Sequence, residues 1–165
     1  MKVIIINGMA ASGKSTFIKL CGEIDGFVIE LSMIDFVKKV ARYAGWDGVK
    51  SEKGRKFLAD IKDAIERYNE DIIYQSIDEK IHYYECCNVQ PVFFINARSP
   101  EDIDYLKDKY NATTLFITNP RVPNVTTNHA DAHVNEYAYD YTIVNDGTLD
   151  DLKAKAKEFM EMILK

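Results

Sequence analysis

The sequence predicts an α/β fold in which a parallel sheet lies between two layers of helices. Short apolar runs rich in β-branched residues alternate with segments whose apolar residues recur at helical spacing. A glycine-rich turn joins the first such run to the first helical segment. Because strands that alternate with helices along a chain pair in parallel, this order favours a three-layer α/β/α architecture.

The first half of the chain contains two strand–helix pairs followed by a helical stretch. Residues 2–7 form an apolar run that we predict as a buried strand, and residues 14–21 follow as a helix. Residues 27–31 and 34–44 repeat this order. Residues 51–86 contain no proline and place their apolar side chains at helical spacing, so we expect two or more helices there.

The second half continues the alternation. Residues 92–97, rich in branched and aromatic side chains, predict a central strand covered on both faces. Ser99 and Pro100 then supply the cap and first position of a helix. Two further strands are predicted at 113–118 and 141–144, and the remaining segment is an amphipathic terminal helix, 149–165.

These elements give a five-stranded parallel sheet in a single domain, residues 1–165. Residues 119–135 contain two prolines and many polar side chains, which is typical of a surface loop, and we expect a short lid there. Ligands of such sheets bind at the carboxyl ends of the strands.

The composition limits the kinds of partner. The net charge of -5 argues against binding to a nucleic-acid polymer, and no apolar run approaches the about 20 residues that span a bilayer. Three cysteines without metal-ligand spacing favour a reducing, cytoplasmic setting. A small phosphate-bearing molecule held in a local basic pocket fits these limits. The sequence predicts no particular oligomeric state.

A phosphate-binding loop is predicted where the first strand turns into the first helix. Residues 8–15 read Gly-Met-Ala-Ala-Ser-Gly-Lys-Ser, which matches the pattern G-x-x-x-x-G-K-[ST] in its expected strand–turn–helix context. Its glycines let successive amides point at phosphate oxygens. The predicted ATP-binding residues are Gly8, Ala10, Ala11, Ser12, Gly13, Lys14, Ser15 and Thr16.

Three of these residues have individual expected roles. Lys14 would neutralise the β- and γ-phosphates of ATP, and the Ser15 hydroxyl suits one coordination position on Mg²⁺. Thr16 would bind the α-phosphate, although it is also compatible with an ordinary position in the first helical turn.

The chain resembles the small nucleoside monophosphate kinases, especially those of the bacteriophage deoxynucleoside monophosphate type. The resemblance covers nearly the whole chain and implies phosphoryl transfer from ATP, with Mg²⁺, to a nucleoside monophosphate. It rests on residues 8–16, on Ser32-Met33-Ile34-Asp35, on residues 45–48 leading to 52–58, and on residues 139–141 with 145–149.

The resemblance places acceptor-binding residues in the first half of the chain. Asp35 would accept a hydrogen bond from the acceptor or organise metal-bound water, or it is simply an acid in the first turn of a helix. Ser32 belongs to the same motif and is grouped with it. Lys53 and Arg55 would clamp the acceptor phosphate; a solvated helix face is the alternative.

Two arginines complete the predicted catalytic set, which is Lys14, Asp35, Arg98 and Arg121. Arg98 follows a strand directly and is expected to contact a phosphate of the acceptor at the sheet edge. Arg121 is a candidate lid arginine, or else a solvent-exposed loop residue. The strand before Arg98 ends in Asn96 rather than the Asp that often helps to hold Mg²⁺, and Asp35 is expected to compensate.

Two other functions remain open at this level. A related kinase that acts on dephospho-coenzyme A or on a phosphorylated alcohol would need the same phosphate loop. An ATP-binding regulatory module is favoured by the absent strand-end Asp and opposed by Arg55, Arg98 and Arg121.

Overall fold

The structure is a computed structural model, and it describes residues 1–49, 51–122 and 137–165. Most of the predicted lid, from residue 123 to residue 135, lies outside the described residues.

The sheet has five strands in the spatial order β2-β3-β1-β4-β5. β1 pairs in parallel with β3 and β4, and β4 pairs in parallel with β5. The predicted five-stranded parallel sheet is therefore confirmed. The strands are β1 (Lys2–Asn7), β2 (Val28–Ser32), β3 (Val92–Asn96), β4 (Thr113–Thr118) and β5 (Tyr141–Val144).

Six helices occur among the described residues: α1 (Lys14–Asp25), α2 (Asp35–Tyr43), α3 (Glu52–Tyr68), α4 (Ile72–Cys86), α5 (Pro100–Tyr110) and α6 (Leu149–Ile163). The predicted cap of α5 is confirmed, since the Ser99 hydroxyl accepts a hydrogen bond from the Asp102 amide at 3.2 Å. The sequence analysis ends α1 at Cys21, but the helix continues to Asp25 and stops at Gly26, whose left-handed φ of 77° terminates it.

The described residues form two compact units, and the first comprises residues 1–30 and 90–165. Its core lies on both faces of β1, because every residue from Val3 to Asn7 is buried. On one face, Ile4 and Ile6 belong to a cluster with Phe17 of α1 and Phe159 of α6. α5 packs against β1 and β4. The sheet of this unit is therefore covered by helices in the predicted three-layer arrangement.

The second unit, Leu31–Val89, contains α2, α3 and α4. α4 buries a stripe of apolar side chains at helical spacing, Ile73, Ile77 and Ile81, and α2 buries Val37 and Ala41. α3 and α4 confirm the prediction of two or more helices between residues 51 and 86. The prediction of a single domain for residues 1–165 stays a prediction.

Among the described helices, none combines the length and the apolar character that crossing a membrane requires.

Candidate active site

The loop between β1 and α1 has the backbone conformation of a tight, glycine-dependent turn. Gly8, Ala11 and Gly13 have φ values of 148°, 61° and 102°. A Cβ atom on Gly8 would overlap the carbonyl oxygen of Ile117 in the neighbouring strand β4. Gly8 therefore lets the loop leave β1 in direct contact with β4, and a larger residue does not fit there.

The amino terminus of α1 is left open to an anion. Its cap residue, Gly13, makes no side-chain cap hydrogen bond, and the first turn contains no acidic residue. The first amides of a helix have no partner within the helix and carry a partial positive charge. Ser15 and Thr16, in this first turn, are exposed. The predicted phosphate-binding end of α1 is therefore accessible and electropositive.

Lys14 folds back over the loop. Its Nζ donates hydrogen bonds to the carbonyl oxygens of Gly8 at 2.5 Å and Met9 at 2.8 Å. The ammonium charge is thus held at the loop rather than extended into solvent. A bound phosphate oxygen would replace one of these carbonyls as its acceptor.

The Ser12 hydroxyl is the buried polar group of the loop. Ser12 is 1% exposed, and within the described part of the chain its Oγ has no hydrogen-bond partner. A Cβ atom on residue 8 would lie only 2.9 Å from this oxygen, so the hydroxyl also depends on glycine at that position. An unpaired buried hydroxyl is costly. A polar ligand that hydrogen-bonds to the Ser12 hydroxyl would remove this cost.

Asn7, the last residue of β1, is a site residue that the sequence analysis missed. Its side chain is 1% exposed, and its Oδ1 accepts a hydrogen bond from the Gly8 amide at 2.8 Å. Its Nδ2 donates to the carbonyl of Arg98 at 3.3 Å and to the hydroxyl of Tyr139 at 2.9 Å. Asn7 therefore fixes the start of the phosphate loop to the segment that carries Arg98.

Tyr139 supports Asn7 from the other side. Its ring stacks on Phe116 with the centroids 4.9 Å apart and the planes 18° from parallel. Burial raises the pKa of Tyr139 to about 12, an effect that the hydrogen bond from Asn7 partly opposes. The phenol therefore stays neutral and accepts the Asn7 hydrogen bond at physiological pH.

Asn145 holds the phosphate loop from the β5–α6 connection. Its Nδ2 donates to the Ser12 carbonyl at 3.0 Å, and its amide donates to the Thr118 carbonyl at 2.7 Å. A Cβ atom on Gly13 would overlap the Asn145 side-chain amide. The sequence analysis recorded this residue in a motif but gave it no role.

The two predicted arginines lie in the same unit as the phosphate loop. Arg98 is exposed, and its main-chain carbonyl is bound by Asn7 beside Gly8. Arg121 donates from Nη2 to the Gly147 carbonyl at 2.6 Å, and its amide donates to Asn119 Oδ1 at 3.0 Å. Arg121 is therefore attached to the same β5–α6 connection as Asn145, and its predicted role on a lid stays a prediction.

Four of the predicted acceptor residues, all except Arg98, lie in the second unit, where Ser32 contacts Asp35. Asp35 begins α2, and its Oδ2 accepts a hydrogen bond from the Ser32 amide at 2.9 Å. Lys38 and Lys80 approach the carboxylate to 3.0 and 3.6 Å. Lys53 and Arg55 are exposed in the first turn of a different helix, α3. The catalytic roles of these residues stay predictions.

No cluster of three or more His, Cys, Asp or Glu side chains suited to a metal occurs within residues 1–49, 51–122 and 137–165.

Asp140 fixes the start of β5, next to the segment that carries Tyr139. Its Oδ2 accepts hydrogen bonds from the Thr114 amide at 2.8 Å and the Thr114 hydroxyl at 2.9 Å, and Lys107 donates to Oδ1 at 3.0 Å. Partial burial raises the pKa of Asp140, but the hydrogen bonds from Thr114 and Lys107 outweigh burial and hold this pKa below its usual value.

The lowered pKa predicts that Asp140 stabilises the fold only while it is ionised. Its contribution is complete above the unfolded-state pKa of about 3.9 and is lost as the pH falls through the lower folded-state value. We expect Asp140→Asn to lower the free energy of unfolding at pH 7 by about 1 kcal/mol, a modest value because the group is partly exposed.

Urea unfolding of the wild type and Asp140→Asn between pH 7 and pH 3 measures this effect. The difference between the two proteins should shrink below about pH 4. Asp108→Asn, an exposed acid on α5, is the control. A constant difference across this pH range would contradict the assignment.

Comparison with solved structures identifies the fold. The structure is similar to dephospho-CoA kinase from Campylobacter jejuni, with 16% sequence identity, a TM-score of 0.54 and coverage of 98% of this chain and 97% of that chain. The chain has the fold of the P-loop kinases. It is also similar to shikimate kinase from Aquifex aeolicus, at 14% identity, TM-score 0.51 and coverage of 97% and 96%. A sugar kinase from a Janibacter species matches at 13% identity, TM-score 0.50 and coverage of 99% and 94%.

No protein-family model and no curated protein matches the chain. The P-loop kinase fold places the loop of residues 8–13 at the carboxyl edge of the sheet, where such folds bind their ligands.

Proposed function

We propose that the protein is a nucleotide monophosphate kinase that transfers the γ-phosphate of Mg-ATP to a (deoxy)nucleoside monophosphate. The observation that carries this proposal is the loop between β1 and α1. It combines an uncapped helix amino terminus, a lysine folded over the loop and a glycine that admits no Cβ atom. Together these features suit a chain of phosphates more than a neutral ligand.

The loop residues have distinct roles in this proposal. The amides of residues 10–15 would bind the phosphate oxygens, and Lys14 would neutralise the charge that moves to the β–γ bridge during transfer. Ser15 would hold Mg²⁺ through its exposed hydroxyl. When bound, Mg²⁺ supplies further neutralisation of the β- and γ-phosphates.

The choice of a nucleoside monophosphate rests on the sequence motifs that resemble the monophosphate kinases. In this proposal Ser32, Asp35, Lys53, Arg55 and Arg98 contribute to acceptor binding. Lys38 and Lys80 pair with Asp35 and would hold its carboxylate in place, which suits a hydrogen-bond acceptor for the attacking hydroxyl group or phosphate.

A kinase for dephospho-coenzyme A or a phosphorylated alcohol is the second candidate. It is favoured by the similarity in fold to dephospho-CoA kinase. Both candidates use the same phosphate loop and differ only in the acceptor.

A panel of acceptors separates the candidates. ADP release is measured with Mg-ATP and each nucleoside or deoxynucleoside monophosphate, dephospho-coenzyme A and shikimate. Turnover with one monophosphate at least about 100-fold above the other acceptor classes is the expected result. Turnover confined to dephospho-coenzyme A would replace the proposal with the second candidate, and nucleotide binding without any turnover would favour a regulatory module.

Arg98→Ala is expected to raise the KM for the acceptor about 30- to 1,000-fold with a smaller change in the KM for ATP. The hydrogen bond from Asn7 restrains the main chain of Arg98. The Arg98 guanidinium can then bind a phosphate in bidentate geometry. The loss of one such contact in a desolvated site costs about 2 to 4 kcal/mol.

Steady-state kinetics with each substrate varied in turn measures this separation. Arg67→Ala provides the matched control, since Arg67 is exposed and bonds only one turn back, to the Asp63 carbonyl, among the contacts described. An unchanged acceptor KM in Arg98→Ala would make Arg98 a surface arginine.

A further inference from the structure

Glu30 is a carboxylate next to the position where P-loop proteins often carry a metal-binding acid. That position is the end of β3, which here is Asn96. Asn96 is the parallel partner of Ile6, one residue before β1 ends and the phosphate loop begins. The Asn96 Nδ2 donates a hydrogen bond to Glu30 Oε1 at 2.8 Å.

Glu30 lies on the face of the sheet that α1 covers. Val28 and Glu30 are two residues apart in β2, so their side chains point to the same face. Val28 packs on the cluster that includes residues of α1, and a Cβ atom on Gly22 would lie 3.8 Å from the Val28 Cβ. The side chain of Glu30 is therefore on the α1 side, one step nearer to the carboxyl edge.

Ser15 lies in the first turn of α1, on the helix face that also carries Ile18 and Gly22. Residues at positions 15, 18 and 22 share one face of a helix, and Ile18 and Gly22 of this face pack toward the sheet or β2. β2 runs toward the carboxyl edge of the sheet, whereas α1 begins at that edge and runs away from it. Glu30 is therefore nearer to this edge than Val28, and Ser15 is nearer to it than Gly22.

Asp35, the other candidate acid for a Mg²⁺ site, already has charged partners. Within the second unit, Asp35 is bound by the Ser32 amide and by Lys38 and Lys80. In the described part of the chain, Glu30 makes no ion pair, and its recorded side-chain partner is the neutral amide of Asn96. Among the described residues, no cationic side chain therefore pairs with the Glu30 carboxylate.

We propose that Glu30, held by Asn96, is the acid that positions the water of a Mg²⁺ ion bound at Ser15. In this arrangement the end of β3 carries an amide, Asn96, where an acid is common, and the carboxylate is on the neighbouring strand β2, as Glu30. This inference rests on the proposed function, because the Mg²⁺ ion arrives with the nucleotide.

The test measures how strongly Mg²⁺ tightens ADP binding, by calorimetry with and without Mg²⁺. Glu30→Gln keeps the shape and the acceptor for Asn96 but removes the charge. Partners beyond the direct ligands typically change metal affinity 10- to 100-fold. We therefore expect Glu30→Gln to reduce the tightening by Mg²⁺ about tenfold and to leave metal-free ADP binding unchanged. Glu158→Gln, an exposed acid on α6, is the control.

A charge swap separates a metal role from a structural one. The double variant Glu30→Gln/Asn96→Asp returns the carboxylate to the strand end and keeps a hydrogen bond between the two positions. It should regain most of the tightening by Mg²⁺ that the single variant loses. Electron paramagnetic resonance of Mn²⁺ with ADP gives an independent measure of the same metal affinity.

Two results would overturn the inference while leaving the proposed function in place. One is undiminished tightening by Mg²⁺ in a folded Glu30→Gln variant. The other is a loss of tightening in Asp35→Asn alone, which would assign the role to Asp35. A wild-type protein that binds no adenine nucleotide, with or without Mg²⁺, would instead remove the proposed function, and with it this inference.

Discussion

Lys14→Ala is expected to lower turnover at least about 1,000-fold while the protein stays folded. Nζ of Lys14 is the cation that the structure holds against the phosphate loop, through the carbonyls of Gly8 and Met9. In the proposed reaction, a fixed positive charge at the transferring phosphate would stabilise the transition state more than the ground state, so its loss should raise the activation free energy by several kcal/mol.

The same contacts predict only a small change in stability for Lys14→Ala. The side chain is partly exposed and belongs to no buried cluster, so the thermal midpoint should move by a few degrees at most. ADP release and circular dichroism measure the two quantities separately. Lys19→Ala, an exposed lysine on the same helix, is the control for general loss of charge. Near-normal turnover in folded Lys14→Ala would refute the phosphate-loop assignment.

Much of the fold is predictable from the sequence because its signals are local. β1, β4 and β5 have the predicted bounds, since each is a short apolar or branched run between polar or turn-forming residues. The end of α1 is less predictable. Gly22 lowers helix propensity, yet the helix continues through it to Asp25.

The phosphate loop is predictable for the same reason, as its residues are contiguous. The residues that hold this loop in place could not be predicted from the sequence. Asn7 contacts Arg98 and Tyr139, which are 91 and 132 residues away, and Asn145 contacts Ser12 across 133 residues. No local pattern specifies such pairs, because the fold alone brings these parts of the chain together. The sequence signal that could have indicated Asn7 is its place as a polar residue at the end of an apolar strand.

These long-range contacts restrain both ends of the loop between β1 and α1. Asn7 fixes its first amide, and Asn145 fixes the carbonyl of Ser12 near its end. A loop held at both ends loses less conformational entropy when it binds phosphates, which favours affinity and a defined geometry for transfer.

Gly8→Ala is expected to be the most destabilising substitution in this loop. Two costs add at this position. The φ of 148° is unfavourable for a residue with a Cβ atom, and that atom would overlap the Ile117 carbonyl of β4. The overlapped atom belongs to the backbone of a central part of the sheet, so it cannot rotate away. We expect a loss of about 3 kcal/mol in the free energy of unfolding, or about 6 to 12 °C in the thermal midpoint.

Gly26→Ala separates these two costs. Gly26 has a φ of 77°, but nothing lies within 4 Å of the position that its Cβ would take. It should therefore show only the conformational cost, about 1 kcal/mol. Calorimetric unfolding and ADP affinity are measured for both variants. Gly8→Ala should also bind ADP much more weakly because its loop is displaced, whereas Gly26→Ala should bind ADP normally. Equal midpoints and equal ADP affinities in the two variants would show that the contact between Gly8 and β4 does not shape the loop.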